Sequence, residues 1–188
     1  MYSKAKIAGH PLHPMLIGFP IALYTATVGA LLAYLGTHDV FWYRAALVSN
    51  VAALIMAAIA LVPGAIDLFS IPAKAEARRT GYIHAGFNLV TFVLFLISAF
   101  VIGREWRDPL VAAGTRIPDA MAPLVLSILG MITLLIAGWF GWTLVQTHHV
   151  GIVDRPSEVA VGVAAYEERE AYIPPAPARD DRQIPIRH

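Results

Sequence analysis

Residues 121–146 read MAPLVLSILGMITLLIAGWFGWTLVQ, a run without one charged side chain. A helix needs about 20 mostly apolar residues to cross the hydrocarbon core of a bilayer, and this run exceeds that length. Three further runs meet the same test, at 14–35, 42–62 and 82–102, and none has a Lys, Asp or Glu in its interior. Arg44 stands close enough to the end of its run to turn its guanidinium outward. Lys4 and Lys6 precede the first run as they would in a signal peptide, but the run is too long for an h-region and no small-residue cleavage site follows it. The fold class is therefore all-α: a four-transmembrane-helix bundle over residues 1–153.

Composition agrees. Of 188 residues, 57% are hydrophobic and 14% charged, whereas a soluble domain carries about a quarter charged residues. Cysteine is absent, which excludes disulfides, thiolate metal sites and cysteine nucleophiles. A formal net charge of +1 gives no reason to expect nucleic acid as a partner. From 154 to 188 the chain is polar and proline-rich, with Pro156, Pro174, Pro175, Pro177 and Pro185, and too poor in apolar residues to fold alone, so a disordered tail is expected. No internal repeat is evident.

Four spans put both termini and the 63–81 connection on one side of the membrane. The 36–41 hairpin and the 103–120 connection fall on the other. Lys4, Lys6, Lys74, Arg78, Arg79 and Arg155 flank the terminal side, against Arg44, Arg104, Arg107 and Arg116 opposite. The excess, although small, favours cytoplasmic termini.

The same count gathers five of the seven histidines on the terminal side: His10 and His13 before the first run, His84 at the start of the third, His148 and His149 after the fourth. Ionisable side chains at a hydrocarbon boundary mark function by default, and imidazole is the usual ligand for zinc, copper, iron and haem. In Gly9-His10-Pro11-Leu12-His13-Pro14 each histidine precedes a proline, which biases it away from helical dihedrals and predicts a stiff, extended lead-in. His84 and Asn88 are one turn apart on one helix face, with Gly86 between them leaving room for a flat ligand or another helix. The plainer reading of this pair is an interhelical hydrogen bond. His148 and His149 point about 100° apart on a helix, so at most one faces the bundle. Asp67 could orient an imidazole, or simply pair with Arg78 or Arg79, and the latter is the preferred reading. Gly138, Trp139, Gly141 and Trp142 permit close backbone contact and an aromatic belt. Gly18, Ala22, Ala26 and Ala30 form a small-residue stripe suited to helix packing.

These stretches resemble the prokaryotic membrane family catalogued as "domain of unknown function 2231". The residues that carry the resemblance are Gly9 to Pro14, Asp67, His84 with Asn88, and the closing segment from Gly141 to Gly151; it covers roughly residues 8–153. The resemblance implies a histidine-bearing four-helix plan similar to b-type membrane cytochromes, residence in a prokaryotic inner membrane, and redox work beside a Rieske-type or cytochrome subunit. Where the family reads His-Gly-Val-Gly, this chain has His148-His149-Val150-Gly151, which makes His148 the matching position.

Three functions compete. The first is electron transfer through a single haem b, with His10 or His13 and His84 as axial ligands, His148 in reserve, and Lys74, Arg78 or Arg79 for the propionates. The second is a zinc or copper site formed by His13, His84, His148 and Asp67. The third is a cofactor-free scaffold. No nucleophile–base pair or catalytic carboxylate pair is visible, so an enzyme acting alone is not expected.

Overall fold

The computed structural model describes residues 3–73, 75–113 and 115–151; the tail expected from 154 onward lies outside them. A two-residue hairpin opens the chain, β1 (Lys6–Ile7) pairing antiparallel with β2 (His10–Pro11). Its turn residues Ala8 and Gly9 both have positive φ, +50° and +84°, the backbone a tight hairpin requires. Helices α1 (Leu12–Leu16) and α2 (Gly18–Thr37) form the first span. They are interrupted at Ile17, because Pro20 offers no N–H to the turn before it.

The remaining long helices are α3 (Val40–Ser70), α4 (Glu76–Trp106) and α6 (Met121–Gln146), with a single turn, α5 (Pro109–Ala112), before the last. All four spans are long and apolar enough to cross a membrane. His38 ends α2 in a left-handed conformation, φ +56°, and the Asp39 carboxylate caps α3 by accepting the Phe41 N–H.

Helices α3 and α4 outrun the spans expected at 42–62 and 82–102, and the 63–81 connection is mostly helical. Charged residues past the hydrocarbon are wetted by the interface, so they end the apolar run without ending the helix. Pro63 sits inside α3 and opens one turn of it. The small-residue stripe also differs from expectation. Gly18, Ala22 and Ala26 are exposed, and the packed face of α2 is Pro20, Tyr24, Thr27, Leu31 and Tyr34. The bundle's outer surface is apolar and contacts lipid: Leu135 is 69% exposed, and Trp139 and Trp142, at 73% and 66%, stand where an aromatic belt is expected.

Each of α2 and α4 packs beside both α3 and α6, which leaves α2 and α4 on a diagonal. Their inward positions correspond at one constant offset: His13 with His84, Pro20 with Thr91, Tyr24 with Phe95, Thr27 with Ser98, Leu31 with Ile102. A second constant offset relates Ala46, Asn50, Ala53, Ala60 and Gly64 of α3 to Pro123, Ser127, Gly130, Ala137 and Gly141 of α6. Corresponding residues also meet each other. Tyr24 stacks on Phe95 with ring centres 3.9 Å apart, and the His13 and His84 rings lie 6.2 Å apart. Contact between a residue and its own counterpart is the mark of a two-fold axis. No sequence repeat accompanies this correspondence, but the two helical hairpins place their inward positions about an approximate two-fold axis running between them.

Hydroxyl pairs hold the helices within each hairpin: Thr27 with Ser49 at 3.0 Å, Ser98 with Ser127 at 2.9 Å, Thr91 with Thr133 at 2.8 Å. Such bonds contribute about 0.6 kcal/mol each inside a membrane. At the far end Arg44 lies over the Trp106 ring at 4.4 Å, and Arg116 pairs with Glu105 at 2.9 Å and Asp108 at 2.8 Å.

Two outcomes follow from this packing. A Cβ on Gly130 would come within 2.6 Å of the Phe95 ring, which cannot retreat because Tyr24 is stacked on it. Gly130→Ala should cost about 1–3 kcal/mol in thermal unfolding, while Gly86→Ala, which meets nothing within 4 Å, should be neutral or stabilising. The Leu110 N–H, and after it Arg116, hold the Asp108 carboxyl below the usual carboxylate range. A lowered native pKa stabilises the turn above the ordinary carboxylate range and withdraws that stability as pH falls through the lowered value. Hydrogen exchange at the Leu110 amide, taken relative to its intrinsic rate, should therefore quicken below about pH 4.

Candidate functional site

The two histidines on the axis are held by the same device. In the first hairpin His13 Nδ1 lies 2.9 Å from the Ala60 carbonyl oxygen of α3; in the second, His84 Nδ1 lies 2.8 Å from that of Ala137 in α6. A carbonyl only accepts, so both rings carry their proton on Nδ1. Four residues on from each carbonyl stands a glycine against which the ring lies. A Cβ on Gly64 would approach His13 Nδ1 to 2.7 Å, and one on Gly141 would approach His84 Cε1 to 3.0 Å. His13 is helical, in the first turn of α1, rather than on the extended lead-in expected of it. Pro14 falls where its missing N–H has no partner to lose.

The surroundings of the two rings differ. Asn88 Nδ2 donates to the His84 carbonyl oxygen at 2.9 Å, and it lies 3.1 Å from Nε2 and 3.5 Å from Nδ1 of the same ring, so the amide rests against the ring and not on the Nε2 lone pair. Ile17 occupies the matching position four residues after His13 and offers no donor.

His148 reaches the same end. Its Nε2 lies 3.3 Å from Thr80 Oγ1, one turn before His84 on α4. His149, at φ +51°, closes the end of α6. His10 is exposed on the hairpin, with Nδ1 3.0 Å from its own neighbour's carbonyl, that of Ala8. Asp67 does not pair with Arg78 or Arg79 as preferred from sequence. Its carboxylate accepts from the Ser3 hydroxyl at 2.8 and 2.9 Å and from the N–H groups of Lys4 and Ala5 at 2.8 and 3.0 Å. Arg78 instead donates to the Ile71 carbonyl and lies over the Tyr82 ring. Gly86 is exposed, with open space where a Cβ would stand. Among the described residues no group of three or more His, Asp and Glu is gathered to hold a metal ion, so His13, His84, His148 and Asp67 do not close into one set. A shallow groove of about 470 Å³, lined by Leu47, Leu96, Phe100 and Arg107, lies toward the other end of the bundle.

A family model described as a predicted membrane protein, DUF2231, matches residues 9–154. The chain belongs to this family. No curated protein matches it, and no solved structure does. The matched region contains His10, His13, Asp67, His84, Asn88 and His148. Sequence reasoning missed the parts of the DUF2231 site that are backbone, the Ala60 and Ala137 carbonyls. The available signal was an alanine followed four residues later by glycine at the same end of both return helices.

Asp67→Ala removes the acceptor that anchors residues 3–5. Trypsin should then cut at Lys4 and Lys6 faster than in the wild type, with a loss of about 1–3 kcal/mol for the hydrogen bonds to a charged group.

Proposed function

We propose that His13 and His84 are paired ligands for the iron of one b-type haem, and that the protein is an electron-transfer subunit of the cell membrane. The observation that carries this reading is the common state of the two rings. Ligating histidines characteristically donate their other ring N–H to a backbone carbonyl or carboxylate, and here both Nδ1–H groups are given to helix carbonyls, leaving the Nε2 atoms as the donor pair. The donor set would suit such a group: two imidazoles lie next to each other, with ring centres 6.2 Å apart and planes at 89°.

Haem b supplies one-electron transfer when bound. The chain's own residues orient the imidazoles through Ala60 and Ala137 and set the rings against Gly64 and Gly141. Arg78, held at the same end, keeps donors for a propionate. The partner would be a Rieske-type or cytochrome subunit docking on this face, which the small Lys/Arg excess favours as the cytoplasmic one. A zinc or copper centre with three or four protein ligands is less favoured, since the described residues gather no such set.

One observation favours a second reading, a cofactor-free scaffold. Each Nδ1–H is already bonded to a carbonyl of a neighbouring helix, so the pair also works as a cross-brace.

Absorption spectra of detergent-purified protein, expressed with haem supplied and read oxidised and after dithionite, test the two readings. The first expects a Soret band lost in His84→Ala and in His13→Ala but kept in His38→Asn at the far end. A wild-type protein with neither Soret band nor stoichiometric metal leaves the cross-brace.

A further inference from the structure

We infer that the groove between α3 and α4 binds one phospholipid with an anionic headgroup, an acyl chain lying along the groove and the phosphate held by Arg107 and Arg44. Val51 and Leu54 of α3 line it with Leu96, Ala99 and Gly103 of α4, and Arg107 stands at its end. The apolar lining belongs to membrane-spanning helices, so the groove opens to hydrocarbon and takes an apolar filler. Ala99 and Gly103 keep it open: a Cβ on Gly103 would meet nothing nearer than Leu47 Cδ1, at 4.0 Å. Leu96 and Arg107 stand about 16 Å apart along α4, and the hydrocarbon of one leaflet is about 15 Å deep, so the groove runs the depth of a single leaflet.

The charge at its end suits a phosphate. Arg44 lies one turn before Leu47 on α3, and its guanidinium sits 4.4 Å over the ring of Trp106, the residue before Arg107. Glu105 and Asp108, the carboxylates nearest Arg107 in the chain, are both bonded to Arg116. Among the described residues neither Arg44 nor Arg107 forms an ion pair. Two guanidinium groups at the interfacial end of an apolar groove select an anionic lipid over a zwitterionic one. The corresponding seam, between α2 and α6, has neither feature. At the same two offsets Val28 stands in the place of Ala99, Leu32 in that of Gly103, Gly36 in that of Arg107 and Met121 in that of Arg44. Val28 packs against both core clusters, so that seam is filled by the protein itself and carries no cation at its end.

The test is native mass spectrometry of the full chain in detergent, titrated with phosphatidylglycerol or with phosphatidylcholine of the same acyl chains. The wild type should retain one phosphatidylglycerol per chain and hold it more tightly than phosphatidylcholine. An arginine at a membrane surface is worth about fivefold in affinity for an anionic lipid, so Arg107→Gln should weaken phosphatidylglycerol by that factor and leave phosphatidylcholine unchanged. Arg104→Gln, at the same end but outside the groove, should alter neither. Gly103→Leu, which introduces the residue present at position 32 of the other seam, should weaken both lipids by closing the groove. Arg107 is exposed, so its variant keeps the test decisive if Gly103→Leu fails to fold. Equal retention of the two lipids by the wild type overturns the site and leaves ordinary boundary lipid. Equal losses in Arg104→Gln and Arg107→Gln overturn it in favour of diffuse surface charge, and phosphatidylglycerol binding unchanged in folded Gly103→Leu removes the groove.

Discussion

A helix in lipid satisfies its own backbone but not its polar side chains, and a buried polar side chain left without a partner on another helix, or on a carbonyl that can accept twice, is costly. That constraint organises most of the bundle. Thr27, Asn50, Thr91, Ser98 and Ser127 are all buried at the helix seams, and each is bonded to a hydroxyl or a carbonyl. The two imidazoles obey the same rule with the Ala60 and Ala137 carbonyls as acceptors. Glycine next to each acceptor is the steric half of the arrangement, because a ring can reach the backbone of a packed helix only where no Cβ intervenes.

Sequence displayed the spans, their order, and the end at which His13, His84 and His148 collect, because hydrophobic length and loop parity are additive properties of the chain. It did not display the two-fold arrangement. Inside a membrane, Leu, Ile, Val and Phe are near-equivalent, so two hairpins can share inward positions without sharing residue identities. Tyr24 against Phe95, Thr27 against Ser98 and Leu31 against Ile102 are recognisable as pairs once the first pair is seen to stack. Asp67 was misread for a related reason. Charge pairing with Arg78 or Arg79 is visible along the chain, whereas backbone N–H groups at residues 4 and 5 come within reach only after the N-terminal hairpin has folded back.

The two halves differ at definite places. Pro63 stands where the copy has Phe140, whose ring stacks at 6.2 Å on Phe87 of α4. Ala53 stands where the copy has Gly130, the position that receives the Phe95 ring. Tyr24 keeps a hydroxyl that Phe95 lacks, and that hydroxyl, with Asn50 Oδ1, has no protein partner among the described residues. Each substitution changes what one hairpin presents to the axis while leaving the lipid-facing surface apolar.

An axis of this kind constrains chemistry as well as packing. A residue beside it faces its own counterpart, so a favourable ligand position in one hairpin is presented twice, at opposed sides of the same point. A symmetric pair of that sort cannot by itself order two binding events. Order requires a difference close to the axis, and the two helices differ there: Pro14 and Ile17 near His13 stand against Ala85 and Asn88 near His84. The Asn88 amide lies against the His84 ring, 3.1 Å from Nε2 and 3.5 Å from Nδ1, whereas the Ile17 side chain is apolar, so the two imidazoles sit in unlike surroundings although the same device holds both.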